Sequence, residues 1–414
     1  MIHLAIWIIS FLTIAGVIIR PFKVAEVFWA AGGAILLVIS GLILPAEALS
    51  GIMKGTDVYL FLTGMMLLAE TAREEKLFDW LAAHAAKMAR GSANRLFLLI
   101  YLVGIVVTAF LSNDATAVVL TPAVAAAARA AKVKAPMPYL LICAFIANAA
   151  SFILPISNPA NLVIYGQHMP ALPHWLSLYL LPSIFAITIT YVVLRFTQRK
   201  ALTEKIDTNI LIPSLTRGGK TAGYGIAVTA IILLIASTMD LPLGLPTAIT
   251  GILTSAIVII GAKKTPWTVI KGVSWSVIPL VAGLFITVEA LHQTGMIQAV
   301  VNLLNESVAS SINETVWGSG FIIALVCNLM NNLPAGLIAG QVLQGSPIPE
   351  IIRSAVLIGV DLGPNLSITG SLATILWLVA LRREGLSISF WSFLKLGALV
   401  MTSALLFAIA SIWL

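Results

Sequence analysis

The stretch that decides the fold is V-T-A-F-L-S-N-D-A-T-A-V-V-L-T-P, residues 107–122, together with its counterpart L-V-C-N-L-M-N-N-L-P-A-G-L-I-A-G, residues 325–340. Both stretches place a few polar side chains at the centre of a segment that is otherwise apolar enough for lipid. A charged side chain at the middle of a membrane helix costs ~2.5–3.5 kcal/mol on insertion scales, so such groups mark the path of a substrate or an ion. The pattern predicts a membrane transporter.

The two stretches also indicate that one structural unit occurs twice. Asn113 aligns with Asn331 at an offset of 218 residues, and Gly64 aligns with Gly283 at an offset of 219. Nearly equal offsets at distant places predict an internal repeat that covers most of the chain.

Composition excludes a soluble globular protein. The 414 residues are 59% hydrophobic and only 10% charged, with a mean hydropathy of +1.02, so there are too few charges to cover a water-facing surface. The formal charge of +7 does not indicate nucleic-acid binding, because the basic residues form short clusters between apolar runs, as the positive-inside rule produces.

We predict an all-α membrane protein with ten transmembrane helices, five in each half, since ~20 apolar residues cross a membrane. The predicted spans are residues 2–19, 24–44, 57–72, 139–166, 175–197, 223–240, 244–262, 274–292, 352–380 and 391–413. The first is interpreted as a retained span and not as a signal peptide.

Each half also holds one apolar segment with a polar centre, at residues 95–130 and 315–344. Short arms and a polar tip favour a re-entrant helical hairpin over two further crossings. Two surface helices are predicted near residues 74–91 and 293–314.

An odd number of crossings in each half makes the second unit inverted relative to the first, a plan common among secondary transporters. The predicted units are residues 1–197 and 223–414, joined by a cytoplasmic linker at 198–222. Of the 24 Lys and Arg residues, all but Lys54 and Arg353 fall on one side, which the positive-inside rule makes cytoplasmic. The chain is then a multi-pass protein of the inner (plasma) membrane with both termini outside, one hairpin entering from the cytoplasm and the other from the opposite face.

Two of the predicted spans are interrupted. Pro155 and Pro159 bracket a polar turn in the first, and Gly363, Pro364 and Gly370 interrupt the second, because proline removes backbone donors. Irregular backbone at membrane depth is tolerated only where it is buried in protein or lines a cavity. Two broken spans and two hairpin tips therefore predict one central site.

These motifs resemble a known family. The hairpin S-N-D-A-T-A-V-V-L-T-P, the broken span S-N-P-A-N-L-V-I-Y-G, the second tip M-N-N-L-P-A and the second break V-D-L-G-P-N-L-S-I-T-G-S-L-A-T are similar to those of the arsenite/antimonite efflux permeases (ArsB type) of the ion transporter superfamily. The resemblance implies export of the neutral trihydroxide of arsenic or antimony in exchange for protons. It also implies an arsenite-stimulated ATPase on the cytoplasmic face in some members, and it leaves a homodimer open.

Related sodium-coupled carboxylate transporters carry Ser-Asn-Thr at both hairpin tips. Here the first tip is Ser112-Asn113-Asp114 and the second is Asn331-Asn332-Leu333. This departure disfavours sodium coupling.

The residue types fit a neutral, hydroxyl-rich solute, because an amide offers both a donor and an acceptor, whereas an oxyanion favours Arg, Lys or helix N-termini. The candidate substrate-binding residues are Asn113, Asn148, Ser157, Asn158, Asn161, Asn331, Asn332, Asn365 and Thr369. No cofactor and no metal site are predicted.

Asp114 and Asp361 are the only acidic residues predicted at the centre, and we assign them to proton coupling. Burial disfavours a charged carboxylate and so favours its protonated form. The alternative role for each is to cap a helix N-terminus. Glu70 and Glu289 close their spans and are expected to be solvated.

Three alternatives stay open at this point. One is a carboxylate or other anion transporter of the same superfamily, coupled to protons or sodium. The second is thiol ligation of the metalloid by Cys143 and Cys327, which do not align in the repeat. The third is an intramembrane aspartyl protease that uses Asp114 and Asp361, although the sequence contexts of such proteases are absent.

Overall fold

In the computed structural model, which describes residues 2–166, 169–345 and 347–414, every regular element is helical. Helices satisfy their own backbone hydrogen bonds, which lipid cannot do. Many large apolar side chains on the outside are exposed, among them Phe11, Ile39 and Ile260. The predicted all-α membrane protein is confirmed in this respect.

The first half begins with four helices, of which the third is an element that the sequence does not predict. They are α1 (Ile2–Ile19), α2 (Glu26–Ile39), α3 (Pro45–Lys54) and α4 (Thr56–Glu74). Helix α5 (Leu77–Met88) occupies the place of the first predicted surface helix. The first predicted hairpin consists of α6 (Ala93–Phe110), α7 (Asn113–Ala115), a π-helical turn at Thr116–Leu120 and α8 (Thr121–Ala130).

The first half ends with a broken span and a long helix. The broken span consists of α9 (Met137–Ala149), a 3-10 turn at Pro155–Ser157 and α10 (Pro159–Tyr165), and the long helix is α11 (Leu172–Gln198).

The second half repeats this order. Its helices are α12 (Arg217–Thr238), α13 (Gly244–Gly261), α14 (Pro266–Gly272), α15 (Val277–Gln293), α16 (Met296–Ser310), α17 (Ile312–Met330), α18 (Asn332–Gln344), α19 (Glu350–Leu362), α20 (Leu372–Arg383) and α21 (Phe390–Ala410). A 3-10 turn at Gly363–Leu366 follows α19 directly. The second predicted hairpin is α17 and α18, and the second broken span is α19 and α20.

The number of membrane-crossing helices differs from the predicted ten. Among the described residues, eight helices are long and apolar enough to cross a membrane, or nine when α3 and α4, bent by 49°, count as one span. The broken spans are split into short helices, and α2 has 14 residues. These segments are therefore too short to be counted as membrane-crossing helices by length. By contrast, the first arm of each predicted hairpin is long. Helix α6 has 18 residues and α17 has 19, whereas short arms were expected. Re-entrance of the hairpins stays a prediction.

The two halves interlock through equivalent helix pairs. Helix α4 packs against α13, and α15 packs against α2. A Cβ atom added at Gly64 would lie 2.1 Å from the carbonyl oxygen of Thr247, and one at Gly283 would lie 2.6 Å from that of Ala30. Small residues allow such close approach of membrane helices, so the aligned glycines serve the same purpose in both pairs.

The elements around the helix breaks interlock in the same way. Helix α10 of the first half packs against α18 of the second, and α20 of the second half packs against α7 and α8 of the first. Each broken span therefore rests on the predicted hairpin of the other half.

The predicted linker is attached to the first half after α5 and α8. Its backbone N–H groups at Ile206 and Asp207 donate to the carbonyl oxygens of Gly91 at 3.1 Å and Ala131 at 2.9 Å. The Asp207 carboxylate lies 2.7 Å from Lys132 Nζ. Helix α12 begins at Arg217, inside the predicted linker 198–222, because the Thr216 hydroxyl caps it by accepting from the Gly219 N–H.

The close approach of α4 and α13 predicts a position-specific response to one added methyl group. Gly64→Ala should lower the free energy of unfolding by about 1–3 kcal/mol through overpacking. Gly32→Ala is the matched control, since nothing lies within 4 Å of a Cβ there and alanine favours the helix by up to ~1 kcal/mol. Thermal unfolding of detergent-solubilised protein measures both, and an equal response would contradict this packing.

Attachment of the linker should depend on pH. The hydrogen bond from Lys132 lowers the pKa of Asp207 in the folded protein below its usual value of 3.8. The ion pair therefore stabilises the attachment fully above pH 3.8, and this stabilisation is lost as pH falls through the lowered pKa. The protection of the Ile206 and Asp207 amides from hydrogen exchange, relative to the intrinsic rate at each pH, should therefore fall below about pH 4, and Asp207→Asn should lower it at neutral pH. Asp240→Asn, an exposed aspartate between α12 and α13, is the control; unchanged exchange in Asp207→Asn would refute the role of this ion pair.

Candidate functional site

The two broken spans meet through their polar side chains. Asn148, in the last turn of α9, donates from Nδ2 to Asn365 Oδ1 at 3.0 Å and to Thr374 Oγ1 at 3.3 Å. Its Oδ1 accepts from the Ser371 hydroxyl at 3.3 Å. Asn365 in turn donates to the carbonyl oxygen of Phe145 at 3.1 Å. All four polar side chains are buried, so the breaks of the two halves satisfy each other.

Asp361 lies in the last turn of α19 and is fully buried. Its Oδ1 accepts from the Ser151 hydroxyl at 2.6 Å and from Asn158 Nδ2, both from the break of the other half. Its Oδ2 has no hydrogen-bond partner among the described residues. Asp361 does not cap a helix N-terminus, since these contacts come from side chains across the break. No basic side chain contacts it in the described structure.

Ser157 and Asn161 hold the first break in place. The Ser157 hydroxyl donates to the carbonyl oxygen of Ala109 at 3.0 Å, which links the break to α6. Asn161 Nδ2 donates to the carbonyl oxygen of Ser151 at 2.9 Å, whereas Asn161 Oδ1 has no partner in the described part of the chain. Asn158 caps α10 by accepting from the Ala160 N–H at 3.0 Å.

The first hairpin turns at Ser112. The Ser112 hydroxyl caps α7 by accepting from the Ala115 N–H at 3.2 Å, and Asn113 Oδ1 accepts from the Asp114 N–H at 2.9 Å. The cap is therefore supplied by Ser112 and not by the carboxylate of Asp114, which stays available for another role.

Asp114 opens onto a cavity of about 60 Å3 between the first hairpin, α4, α10, α20 and the start of α15. A cavity of this size holds a few waters or a small solute. Apolar side chains form most of its wall, and Ser112, Asp114, Glu70 and Ser274 are its polar and charged side chains. Glu70 is only 6% exposed, which corrects the expectation of a solvated span end: neighbouring α14 covers it.

The second hairpin turns at Asn331, which has a φ of 74° and caps α18 by accepting from the Leu333 N–H at 3.3 Å. The Asn332 N–H donates to the carbonyl oxygen of Gly370 at 2.9 Å, so this tip touches the second break. Thr369 donates to the carbonyl oxygen of Asn328 at 3.2 Å.

The structure thus brings the predicted residues into neighbouring groups and not into one open chamber. Asn148 and Asn365 form one group, Asp361 and Asn158 form a second, and the second hairpin tip lies against the second break. Of the two hairpin tips, the first contributes described residues to the lining of the 60 Å3 cavity and the second contributes none. The reason is that the buried side chains pair with one another, as buried polar groups do.

Sequence reasoning missed several members of these groups. Ser151, Asn328, Ser367, Ser371 and Thr374 all hydrogen-bond to or beside predicted residues. Ser367 donates to Asn328 Oδ1 at 2.7 Å. All five lie in or beside the motifs quoted above, so small polar residues within the breaks were the available signal.

Neither thiol hydrogen-bonds to a predicted site residue within the described part of the chain. Cys143 and Cys327 are buried in α9 and α17, and each contacts a backbone carbonyl, of Tyr139 and Val360. Among the described residues no group of three or more His, Cys, Asp or Glu side chains is arranged to hold a metal ion.

The bond between Ser151 and Asp361 predicts a measurable loss of stability. Ser151→Ala should lower the free energy of unfolding by about 1–3 kcal/mol, because a buried carboxyl oxygen loses a donor. Ser183→Ala is the control, since the buried Ser183 hydroxyl has no partner among the described residues and its loss leaves no group unsatisfied. Thermal unfolding in detergent compares them; equal midpoints would show that the bond adds nothing.

Comparisons with known proteins agree with this architecture. Residues 13–358 match the family model described as CitMHS, citrate transporter. The chain is 28% identical over 411 residues to the arsenical pump membrane protein of Escherichia coli (strain K12), covering 96% of this chain and 95% of that protein. It is 25% identical over 371 residues to an uncharacterized transporter of Mycobacterium tuberculosis (strain H37Rv), covering 86% of each.

A solved structure shares the fold. The Alcanivorax borkumensis YdaH transporter superimposes with a TM-score of 0.57 at 13% identity, covering 88% of this chain and 86% of that one. The family match spans well over half of the residues and the relatives are named as pumps and transporters, which sets aside the protease. The chain belongs to the CitMHS citrate transporter family and is a multi-pass membrane transporter, not an enzyme.

Proposed function

We propose that this chain is a secondary transporter of the inner membrane that exports arsenite or antimonite, as the neutral trihydroxide, in exchange for protons. The observation that carries the proposal is the charge of the cavity beside the first hairpin. Its ionisable lining residues are Asp114 and Glu70, and among the residues that the structure describes no Lys or Arg lines it. Such a wall offers a tricarboxylate such as citrate no cation to bind and tolerates an uncharged solute.

The helix N-termini at the breaks lead to the same conclusion. A helix N-terminus binds anions through its free N–H groups. Here the four N-termini, of α7, α10, α18 and α20, are each capped by a side chain, from Ser112, Asn158, Asn331 and Ser371. Each cap already occupies one of the N–H groups that an anion would use.

The unpaired atoms near the breaks are acceptors. Asp361 Oδ2 and Asn161 Oδ1 are buried and lack donors within the described structure. A trihydroxide brings three O–H donors, and a proton on Asp361 turns that acceptor into a donor. Both species of the proposed exchange therefore complement what the site offers. The names of the arsenical pump relatives support the same substrate.

We further propose that the halves, residues 1–197 and 223–414, are inverted repeats, and that the hairpins and broken spans move against the remaining helices to give alternating access. The reciprocal packing of α4 on α13 and α15 on α2 supports the repeat. One proton moving down 100 mV yields ~2.3 kcal/mol, which at ~1.4 kcal/mol per tenfold supports a gradient of roughly 50-fold for a neutral solute. Both termini lie outside in this proposal, and the cytoplasmic loops offer a surface for a separate ATPase subunit.

Citrate or another carboxylate is the second candidate, because the family model carries that description. Transport of citrate would require basic side chains or uncapped helix N-termini to reach the site in another conformation.

The proposal is tested in inside-out vesicles with an imposed proton gradient. We expect arsenite accumulation that follows the proton gradient, is unchanged by sodium and is not competed by citrate. Asp114→Asn and Asp361→Asn should each reduce the accumulation by about tenfold or more, since the full proton-driven gradient is roughly 50-fold. Asp240→Asn, an exposed aspartate, is the control. Citrate uptake without arsenite uptake would establish the second candidate, and full accumulation by both variants would refute the proton assignment.

A further inference from the structure

Two glutamates lie at matching places in α4 and α15. Glu70 and Glu289 are 219 residues apart, the offset that also relates Gly64 to Gly283. Their side chains are 7% and 13% exposed. Neither is a solvated helix end, and the proposed inverted repeat sets them at opposite faces of the membrane.

Each glutamate is held against a short helix of the other half. Helices α3 and α14 both begin with proline and carry a glycine six residues later, Gly51 and Gly272. A Cβ atom added at Gly272 would lie 1.6 Å from Glu70 Oε1, and one at Gly51 would lie 3.2 Å from Glu289 Cβ. Glycine at these positions lets each carboxylate side chain lie directly on the short helix.

The two glutamates differ in their ion pairs. Glu289 pairs with Lys54 of α3 at 2.7 Å, so this contact bridges two helices. Glu70 pairs with Arg73 of its own helix, from Nε at 2.8 Å and Nη2 at 2.6 Å, and lies in the wall of the cavity that contains Asp114. The Glu289 ion pair therefore joins two helices, whereas Glu70 shares a cavity with Asp114, the proposed proton carrier.

Other charged groups accompany both glutamates. Near Glu70, charged side chains come from the end of α4 and from the elements packed against it. They are Glu74, Glu75, Lys76, Asp79, Arg217, Lys220, Lys263, Lys264 and Lys271. Of these, Glu75 is engaged by Lys264 at 2.6 Å and Glu74 by Arg73. Around Glu289 the corresponding groups are His3, Glu47, Lys54, Asp57 and His292.

We propose that Glu70 and Glu289 are the proton-exchange residues at the two mouths of the pathway. Glu70 passes a proton from Asp114 to cytoplasmic water through the 60 Å3 cavity. Glu289 takes a proton from the external solution when its bridge to Lys54 opens and delivers it to the transport site. The inference rests on the proposed proton-coupled export and adds a separate residue for each face.

The test varies pH on the two sides of inside-out vesicles independently. Glu70→Gln should flatten the dependence of arsenite transport on cytoplasmic pH and leave the dependence on lumenal pH. Glu289→Gln should do the reverse. Each should slow transport by at least about tenfold, since a positioned proton donor is typically worth ~10²–10⁴-fold. Glu70→Asp and Glu289→Asp should recover part of the rate, because a carboxylate is retained.

Two controls separate this role from a structural one. Glu74→Gln removes a neighbouring carboxylate that also pairs with Arg73, and Glu306→Gln removes an exposed one on α16; both should keep the wild-type pH profiles. Size-exclusion chromatography checks that every variant is folded. Wild-type profiles in both Gln variants, or the same loss on both sides in each, would overturn the inference while wild-type coupling stands. Wild-type transport without any proton dependence would overturn the proposed function itself.

Discussion

Backbone N–H groups at an interrupted helix are the constraint on which the rest of the structure depends. Lipid cannot bond to them, so each of the four helix starts at the breaks and hairpin tips needs a cap from within the protein. Ser112, Asn158, Asn331 and Ser371 supply those caps. Because capping side chains are themselves polar, they must be buried among protein groups, which draws both broken spans and both tips together.

The same constraint shapes the chemistry offered to a solute. Each cap engages one N–H group, and the amides of Asn148 and Asn365 are paired. The buried side-chain atoms that stay unpaired at the described breaks, Asp361 Oδ2 and Asn161 Oδ1, are acceptors. A site of that kind suits species that donate protons or hydroxyl hydrogens. The structural need for caps and the proposed preference for an uncharged cargo thus have one physical origin.

Reciprocal packing between the halves explains how paired features arise in both halves. Helix α4 rests on α13 and α15 rests on α2, so a residue and its repeat partner meet equivalent surroundings. The surroundings are not identical, however. Glu289 is bridged to another helix whereas Glu70 lies in a cavity wall, so the two equivalent positions differ in their contacts.

The sequence alone determined the helical membrane fold, since apolar runs and prolines such as Pro155 and Pro159 dictate where helices lie and break. It also identified Asn148, Asp361 and the hairpin tips, because polar groups stand out in an apolar segment. The sequence did not identify the residues that these side chains contact. Ser151 and Asn158 donate to one oxygen of Asp361, and α14 buries Glu70. These contacts join residues about 200 positions apart. Only the tertiary structure decides such contacts, because hydropathy and spacing describe one helix at a time whereas burial depends on which helices meet.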